Sequence, residues 1–364
     1  MHKTAAWPLA LVYAGLIVYA SLYPFAGWRD QGIAPWFFLT ARSAHYWTWF
    51  DVWVNIVGYL PLGGLLALSA LRTRRVRHAV LVPLLVGAVL SLVLESLQAY
   101  LPARVPSRED LLLNMTGTGL GAVGAMLLER WGIIDRWSRV RARWFVPHAR
   151  GGIVLLALWP MALLFPPAVP FGLGQVLERL TEALAAYLEG TPLQTWMPVR
   201  SMELHPLVPG AEMLCVALGV LIPCLLGFCV IRVPWRRAAM ATAVLAVGIA
   251  TTALSAALSW GPIHAWAWVD LPAQVGVLAA VALALGLVFV PWRASAALLI
   301  LALGVYLSVL NQTPEGAYFA QTLQTWEQGR FIRFHGLAQW LGWLWPYATL
   351  AYVLSLIGQR DPHY

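Results

Sequence analysis

The chain has 364 residues, 60% of them hydrophobic and only 11% charged. Soluble domains carry about a quarter charged residues, so a water-facing surface is excluded and the chain belongs in lipid. The formal net charge of +8 need not mean nucleic acid, because membrane proteins gather arginine in their inner loops.

A helix crosses the hydrocarbon core with about 20 residues. Apolar runs of that kind lie near 6–25, 52–71, 79–99, 111–129, 151–169, 211–231, 238–258, 273–291, 294–310 and 340–358. They predict an all-α polytopic membrane protein with about ten transmembrane helices. The first run lacks a small-residue cleavage site before Tyr23-Pro24-Phe25 and reads as a retained span. With the N-terminus inside, 16 of the 24 Lys and Arg residues fall on cytoplasmic segments. The main clusters are Arg72 to Arg77, Arg130 to Arg150 and Arg232 to Arg237. This bias predicts that both termini are cytoplasmic and makes the arginines anchors for lipid head groups, with no nucleic acid as partner. Acidic residues and tryptophans gather on the opposite side, as an interfacial belt and a candidate outer groove. Segment 174–189 places Leu177, Leu180, Leu184, Tyr187 and Leu188 at helical spacing, which predicts an amphipathic helix on the outer interface.

Two repeats organise the chain. Asp51, Asn55 and Gly58 recur as Asp110, Asn114 and Gly117, each set opening a span that runs inward. Leu193-Gln194-Thr195-Trp196 with Arg200 and His205 recurs as Leu323-Gln324-Thr325-Trp326 with Arg330 and His335, at one constant spacing. These outer segments precede the sixth and tenth runs and predict two duplicated hairpins in parallel orientation. Arg200, His205, Arg330 and His335 are candidates for binding an anion such as a lipid phosphate, or arginines that snorkel to the head groups. The basic stretch 131–150 reads as a cytoplasmic linker between the two halves. Cys215, Cys224 and Cys229 share one apolar run without metal-ligand spacing, and the histidines form no HxxxH or HExxH motif. Buried thiols, no metal and no cofactor are expected.

Chemistry is concentrated in the first half. Glu95 and Gln98 stand at the outer end of the third run, and a carboxylate within a span is expensive enough to need a partner. The topology brings Asp51 and Asn55, Asp110 and Asn114, and the loop residues Arg104 and Arg108 to the same depth. Spacing of four puts each Asp and Asn on one helix face. Two readings stand. The cluster is a structural lock, with Arg neutralising carboxylate and Asp51 and Asp110 capping their helices. Alternatively it is a site open to the outer leaflet for a cationic or hydroxyl-rich lipid head group, or an acid/base pair in which Glu95 and Asp110 are catalytic.

Asn55, Pro61 and Gly63, then Glu95 and Gln98, then Arg104, Asp110, Asn114 and Gly117 resemble the VanZ-like family. Its pattern joins an Asn-x5-Pro-x-Gly helix, an E-x2-Q helix end and an R-x5-D-x3-N-x2-G helix. Ser107 departs from many relatives, which carry an acidic residue in that loop. The resemblance covers residues 14 to 130 and implies a small multi-pass domain, in a family named for a member that raises teicoplanin resistance. It implies a four-helix VanZ-like domain over 1–130; the arginine stretch and the remaining apolar runs then predict the linker at 131–150 and a six-helix domain over 151–364. The expected protein sits in the bacterial inner membrane, with membrane lipids or a lipid-linked envelope precursor as partners. An enzyme modifying an envelope lipid and a transporter built on the parallel repeats are the alternatives.

Overall fold

The computed structural model describes residues 6–23, 25, 27–40, 49–72, 78–102, 104–147, 149–165, 167–191, 207–313 and 332–358. These residues form twelve α-helices and no strand. They are α1 (Ala6–Leu22), α2 (Trp49–Arg72), α3 (Leu81–Gln98), α4 (Arg108–Arg130), α5 (Ile133–Trp144), α6 (Arg150–Leu163), α7 (Leu177–Leu188), α8 (Pro209–Val230), α9 (Pro234–Trp260), α10 (Leu271–Leu287), α11 (Trp292–Leu310) and α12 (Ile332–Gly358). Helices α2, α3, α4, α8, α9, α11 and α12 are long and apolar enough to cross a membrane, and α1, α6 and α10 are shorter apolar helices. The protein is an all-α, multi-pass membrane protein. Its contacts separate two compact units, Met1–Val140 and Arg141–Tyr364.

In the first unit, glycines decide how the helices meet. Ile56 and Leu60 of α2 face Gly117 and Gly121 of α4 in the same order, so the two helices run parallel. A Cβ on Gly117 would overlap the Ile56 carbonyl oxygen, and one on Gly121 the Leu60 carbonyl oxygen. Conversely, a Cβ on Gly63 of α2 would overlap the Thr118 carbonyl oxygen of α4. This is the small-xxx-small contact by which membrane helices bring their backbones together. Helix α3 joins at the same level, where a Cβ on Gly87 would strike the Thr118 side chain. On the other side of α2, the Tyr13 hydroxyl of α1 donates to the Gly58 carbonyl at 3.0 Å, and Ala10, Ile17, Tyr59, Leu62 and Leu94 form an apolar core. Gly58 and Gly117, equivalent in the sequence repeat, therefore do different work. Helix α5 carries Arg136, Arg139, Arg141 and Arg143 and has no buried residue.

The second unit is built around α8, which packs against α6, α9, α10 and α11. Apart from Leu218, every residue of α8 from Cys215 to Val230 is buried, as expected of a helix that is apolar on all sides. Its three cysteines are buried free thiols. Helix α6 packs on α12 and α8 on α11, so the helices of the two expected hairpins pair crosswise. The Leu-Gln-Thr-Trp segments themselves lie outside the described residues.

The apolar run at 151–169 is helical only as far as Leu163. Pro166 and Pro167 follow in the sequence, and proline does not donate to a helix and disfavours helical geometry in the residue before it. The chain then threads the unit as irregular backbone with Val169, Phe171 and Leu173 buried. Phe171 has a left-handed φ of 61°, a conformation that an L-aromatic residue adopts only when its surroundings hold it there. The Tyr306 hydroxyl donates to the Phe171 carbonyl at 2.7 Å and accepts the Leu173 N–H. Asn311 Oδ1 accepts the N–H groups of Val176 and Leu177 at 3.1 Å each, closing the start of the amphipathic helix α7. Non-helical backbone among membrane helices is tolerated where protein groups satisfy it in this way.

Arg237 corrects the reading of its cluster as lipid anchors. Its side chain is buried, and it donates from Nε to Ile231 O at 2.7 Å, from Nη2 to Phe228 O at 2.8 Å, and from Nη1 to Val288 O at 3.0 Å and Val290 O at 2.5 Å. Those carbonyls terminate α8 and α10, where orphan acceptors and the negative end of each helix dipole favour a cation.

The glycine contact makes a direct prediction. Gly121→Ala should destabilise the protein by about 1–3 kcal/mol, the range for overpacking, whereas Gly124→Ala should be near neutral because nothing lies within 4 Å of the added carbon. Thermal midpoints and monodisperse yield in detergent measure both.

Candidate functional site

The glycine junction places polar side chains of three helices on facing ladders one turn above it. On α2 the ladder is Asp51, Asn55 and Tyr59; on α3 it is Ser91 and Glu95; on α4 it is Asp110, Asn114 and Thr118. Spacing of four keeps each set on one face. The ladders then bond across. Asn55 Nδ2 donates to Asp110 Oδ1 at 2.8 Å, Asn114 Nδ2 donates to Ser91 Oγ at 2.9 Å, and the Tyr59 hydroxyl is hydrogen-bonded to Ser91. Thr118 Oγ1 donates to the carbonyl of Asn114 at 2.8 Å, so the lowest rung turns back on its own helix.

Glu95 is the most buried carboxylate of the cluster, at 4% exposure. One oxygen accepts the backbone N–H of Ser107 at 2.8 Å. Ser107 is also the N-cap of α4, its hydroxyl accepting from the N–H groups of Glu109 at 3.1 Å and Asp110 at 3.3 Å. The cap is thus Ser107 and not Asp110. The position at which this sequence departs from the family pattern ties the buried carboxylate to the start of α4. Asp110, in the first turn, lies where a helix dipole favours negative charge.

Gln98 and Arg104 also reach α1. Gln98 Nε2 donates to Ser21 O at 3.1 Å, and Arg104 Nη2 donates to Ala20 O at 3.2 Å and Tyr23 O at 2.7 Å. Both therefore close the C-terminal turn of α1, where carbonyls have no helical partners. Arg108 is exposed, with Nη2 3.7 Å from Glu109 Oε1. Asp51 lies half-buried in the first turn of α2. Of the second set, Arg200, His205 and Arg330 lie outside the described residues, as does the side chain of His335.

Three members of the site are not evident from the sequence. Tyr59 resembles an ordinary core aromatic, yet it stands within electrostatic reach of Glu95 and Asp110. Ser91 is a small polar residue in the middle of an apolar helix, fully buried. The signal for both is spacing, since each lies four residues from a polar residue already singled out, Asn55 and Glu95. Ser107 stands out in the sequence only as a missing acid.

The cluster is polar, layered and incompletely satisfied. Its inner layer, Tyr59, Ser91, Glu95 and Asn114, is buried, while Asp51, Asn55, Ser107 and Asp110 are half-buried. Asn114 Oδ1 is buried without a hydrogen-bond partner, an arrangement that costs about 1–3 kcal/mol when left unmet. No group of three or more potential metal ligands occurs among the described residues.

Glu95 can be tested as a bond acceptor apart from its charge. Glu95→Gln keeps an oxygen for the Ser107 N–H and should leave the fold intact. Glu95→Leu orphans that N–H and should destabilise by a further ~1–3 kcal/mol, read as a lower thermal midpoint of the purified protein.

Residues 7–129 match the family described as VanZ/LLP1. No curated protein and no solved structure matches the chain.

Proposed function

With residues 7–129 as a VanZ-like domain, we propose that this domain binds the polar head of a membrane lipid, or of a lipid-linked envelope precursor, at the outer leaflet of a bacterial inner membrane. The observation that carries the reading is the convergence of Glu95, Asp110, Asn55 and Asn114 above the glycine junction, with one buried acceptor unmet. Trp49 and Trp53, exposed on the same end of α2, suit the head-group region, where amphipathic rings settle. Occupancy of the site would alter the supply or exposure of envelope precursors and so the response to glycopeptide-type antibiotics. The enzymatic alternative uses the same carboxylates, with Tyr59 as an added proton-bearing group, and is distinguished by its product: a binding protein returns its lipid unchanged.

The double variant Glu95→Gln/Asp110→Asn tests the site. Both substitutions keep side-chain volume, so the folded yield should hold while co-purified lipid and any envelope phenotype are lost. Unchanged lipid content and phenotype in a stably folded double variant would reject the reading, and a new lipid species formed only by the unsubstituted protein would convert it to catalysis.

Orientation is tested separately. Val105 is 79% exposed in the α3–α4 loop, and Ser138 is exposed on α5. Val105→Cys should react with an impermeant thiol reagent in intact cells and Ser138→Cys should not, against a background kept low by the buried native thiols. Labelling of Ser138→Cys alone would invert the topology.

A further inference from the structure

Residues 129–150 hold six arginines against two acidic residues, Glu129 and Asp135. Helix α4 ends at Arg130, Gly132 turns the chain with a left-handed φ of 67°, and α5 begins at the next residue. Along α5, Ile133, Trp137, Val140 and Trp144 recur at helical spacing and share one apolar stripe. The same periodicity puts Arg136, Arg139 and Arg143 along one border of the stripe and Arg141 along the other. Most of the stripe is open, with Trp137 55% and Val140 40% exposed, and Trp131 just before it 68% exposed. Its far end meets protein. Trp144 packs edge-to-face on Trp235, with ring centroids 5.5 Å apart, and the Arg236 guanidinium lies 5.7 and 5.3 Å from the two rings. Arg236 Nη1 donates to the Arg143 carbonyl, and the Val146 N–H donates to Val230 O at 3.0 Å. That is the turn between α8 and α9, again an end of helices long enough to cross the membrane.

We infer that α5 lies flat on the bilayer as a binding surface for acidic phospholipids, in the leaflet at which α4 ends. A charged helix with tryptophans on one face and arginines beside them has the make-up of helices that settle in the plane of the interface. Attachment at the ends of membrane-crossing helices holds α5 at that level. The stripe then meets the upper acyl chains, and the bordering arginines reach phosphate oxygens, for which the guanidinium fork is suited. Charge names the lipid. Phosphatidylcholine covers the stripe but is neutral overall, whereas phosphatidylglycerol adds an attraction of about a fivefold factor for each arginine near the surface. A nucleic acid or an acidic protein segment would meet the arginines and leave the stripe in water. This surface is separate from the polar cluster above the glycine junction and does not depend on a ligand there.

The test uses the full chain in nanodiscs, with a bimane fluorophore on Val140→Cys in the stripe or on Ser138→Cys on the polar side, the native thiols being buried. Lipid brominated high on its acyl chains quenches a fluorophore that it touches, and acrylamide quenches one that water reaches. Brominated lipid should quench the Val140 label and acrylamide the Ser138 label. In mixed discs with one lipid brominated at a time, phosphatidylglycerol should quench the Val140 label with at least roughly tenfold preference over phosphatidylcholine. Arg139→Gln should weaken that preference about fivefold. Arg136→Gln/Arg139→Gln/Arg143→Gln should abolish it, and the three corresponding lysine substitutions should keep it. All three side chains are exposed, so the thermal midpoint should hold throughout. Equal quenching by the two lipids, or a preference that survives the triple glutamine change, would overturn the inference. Acrylamide reaching the Val140 label as readily as the Ser138 label would do the same by placing α5 in water. A Val140 label shielded from both quenchers would place the stripe against protein, a second copy of the chain included, and would also overturn it.

Discussion

Three helices meet at Thr118, and the polar chemistry of the first unit depends on that contact. Gly63, Gly117 and Gly121 remove the side chains that would hold α2 and α4 apart, and Gly87 lets α3 close on the Thr118 side chain. Lipid supplies no hydrophobic drive to press helices together, so dispersion contacts at such short range do much of the work. Once the three axes are that near, side chains one and two turns away reach across. Asn55 meets Asp110, Tyr59 meets Ser91, and Ser91 meets Asn114. The glycines and the polar residues of this unit are therefore one device, in which the first sets a distance and the second uses it.

That device also explains why the cluster is layered. The inner rung is buried beside the junction, while the first turn of α4, capped by Ser107, is half-buried. A carboxylate at the boundary meets two demands, accepting the loop N–H that fixes the start of α4 and facing the groups above it. Asn114 is the point where packing and polarity disagree. Its amide is held on one side by Ser91 and left without a partner on the other.

Much of this is legible in the sequence, because spacing of four on successive apolar runs names the faces that carry Asn55, Glu95, Asp110 and Asn114. The partners are less legible. Arg104 and Gln98 lie beside carboxylates in sequence, and both also donate to the last carbonyls of α1, acceptors that linear spacing does not rank. Tyr59 is hidden by its dual nature, an aromatic body in the apolar core with a hydroxyl among polar groups. In the second unit, the run at 151–169 has the composition of a span but is broken by Pro166 and Pro167. The irregular backbone beyond them is held by Tyr306 and Asn311, more than a hundred residues downstream. Arg237 has the position of a lipid anchor. Only the folded arrangement shows that four carbonyls surround it.

Those four carbonyls arrive at different times during synthesis. Phe228 and Ile231 precede Arg237 in the chain, but Val288 and Val290 come 51 and 53 residues after it. As α9 enters the bilayer its first turn thus carries a guanidinium with half of its acceptors still to be made. Its full set of acceptors exists only once residues 288–290 have come back against the end of α8, so one guanidinium joins the last turns of two helices that are far apart in the chain.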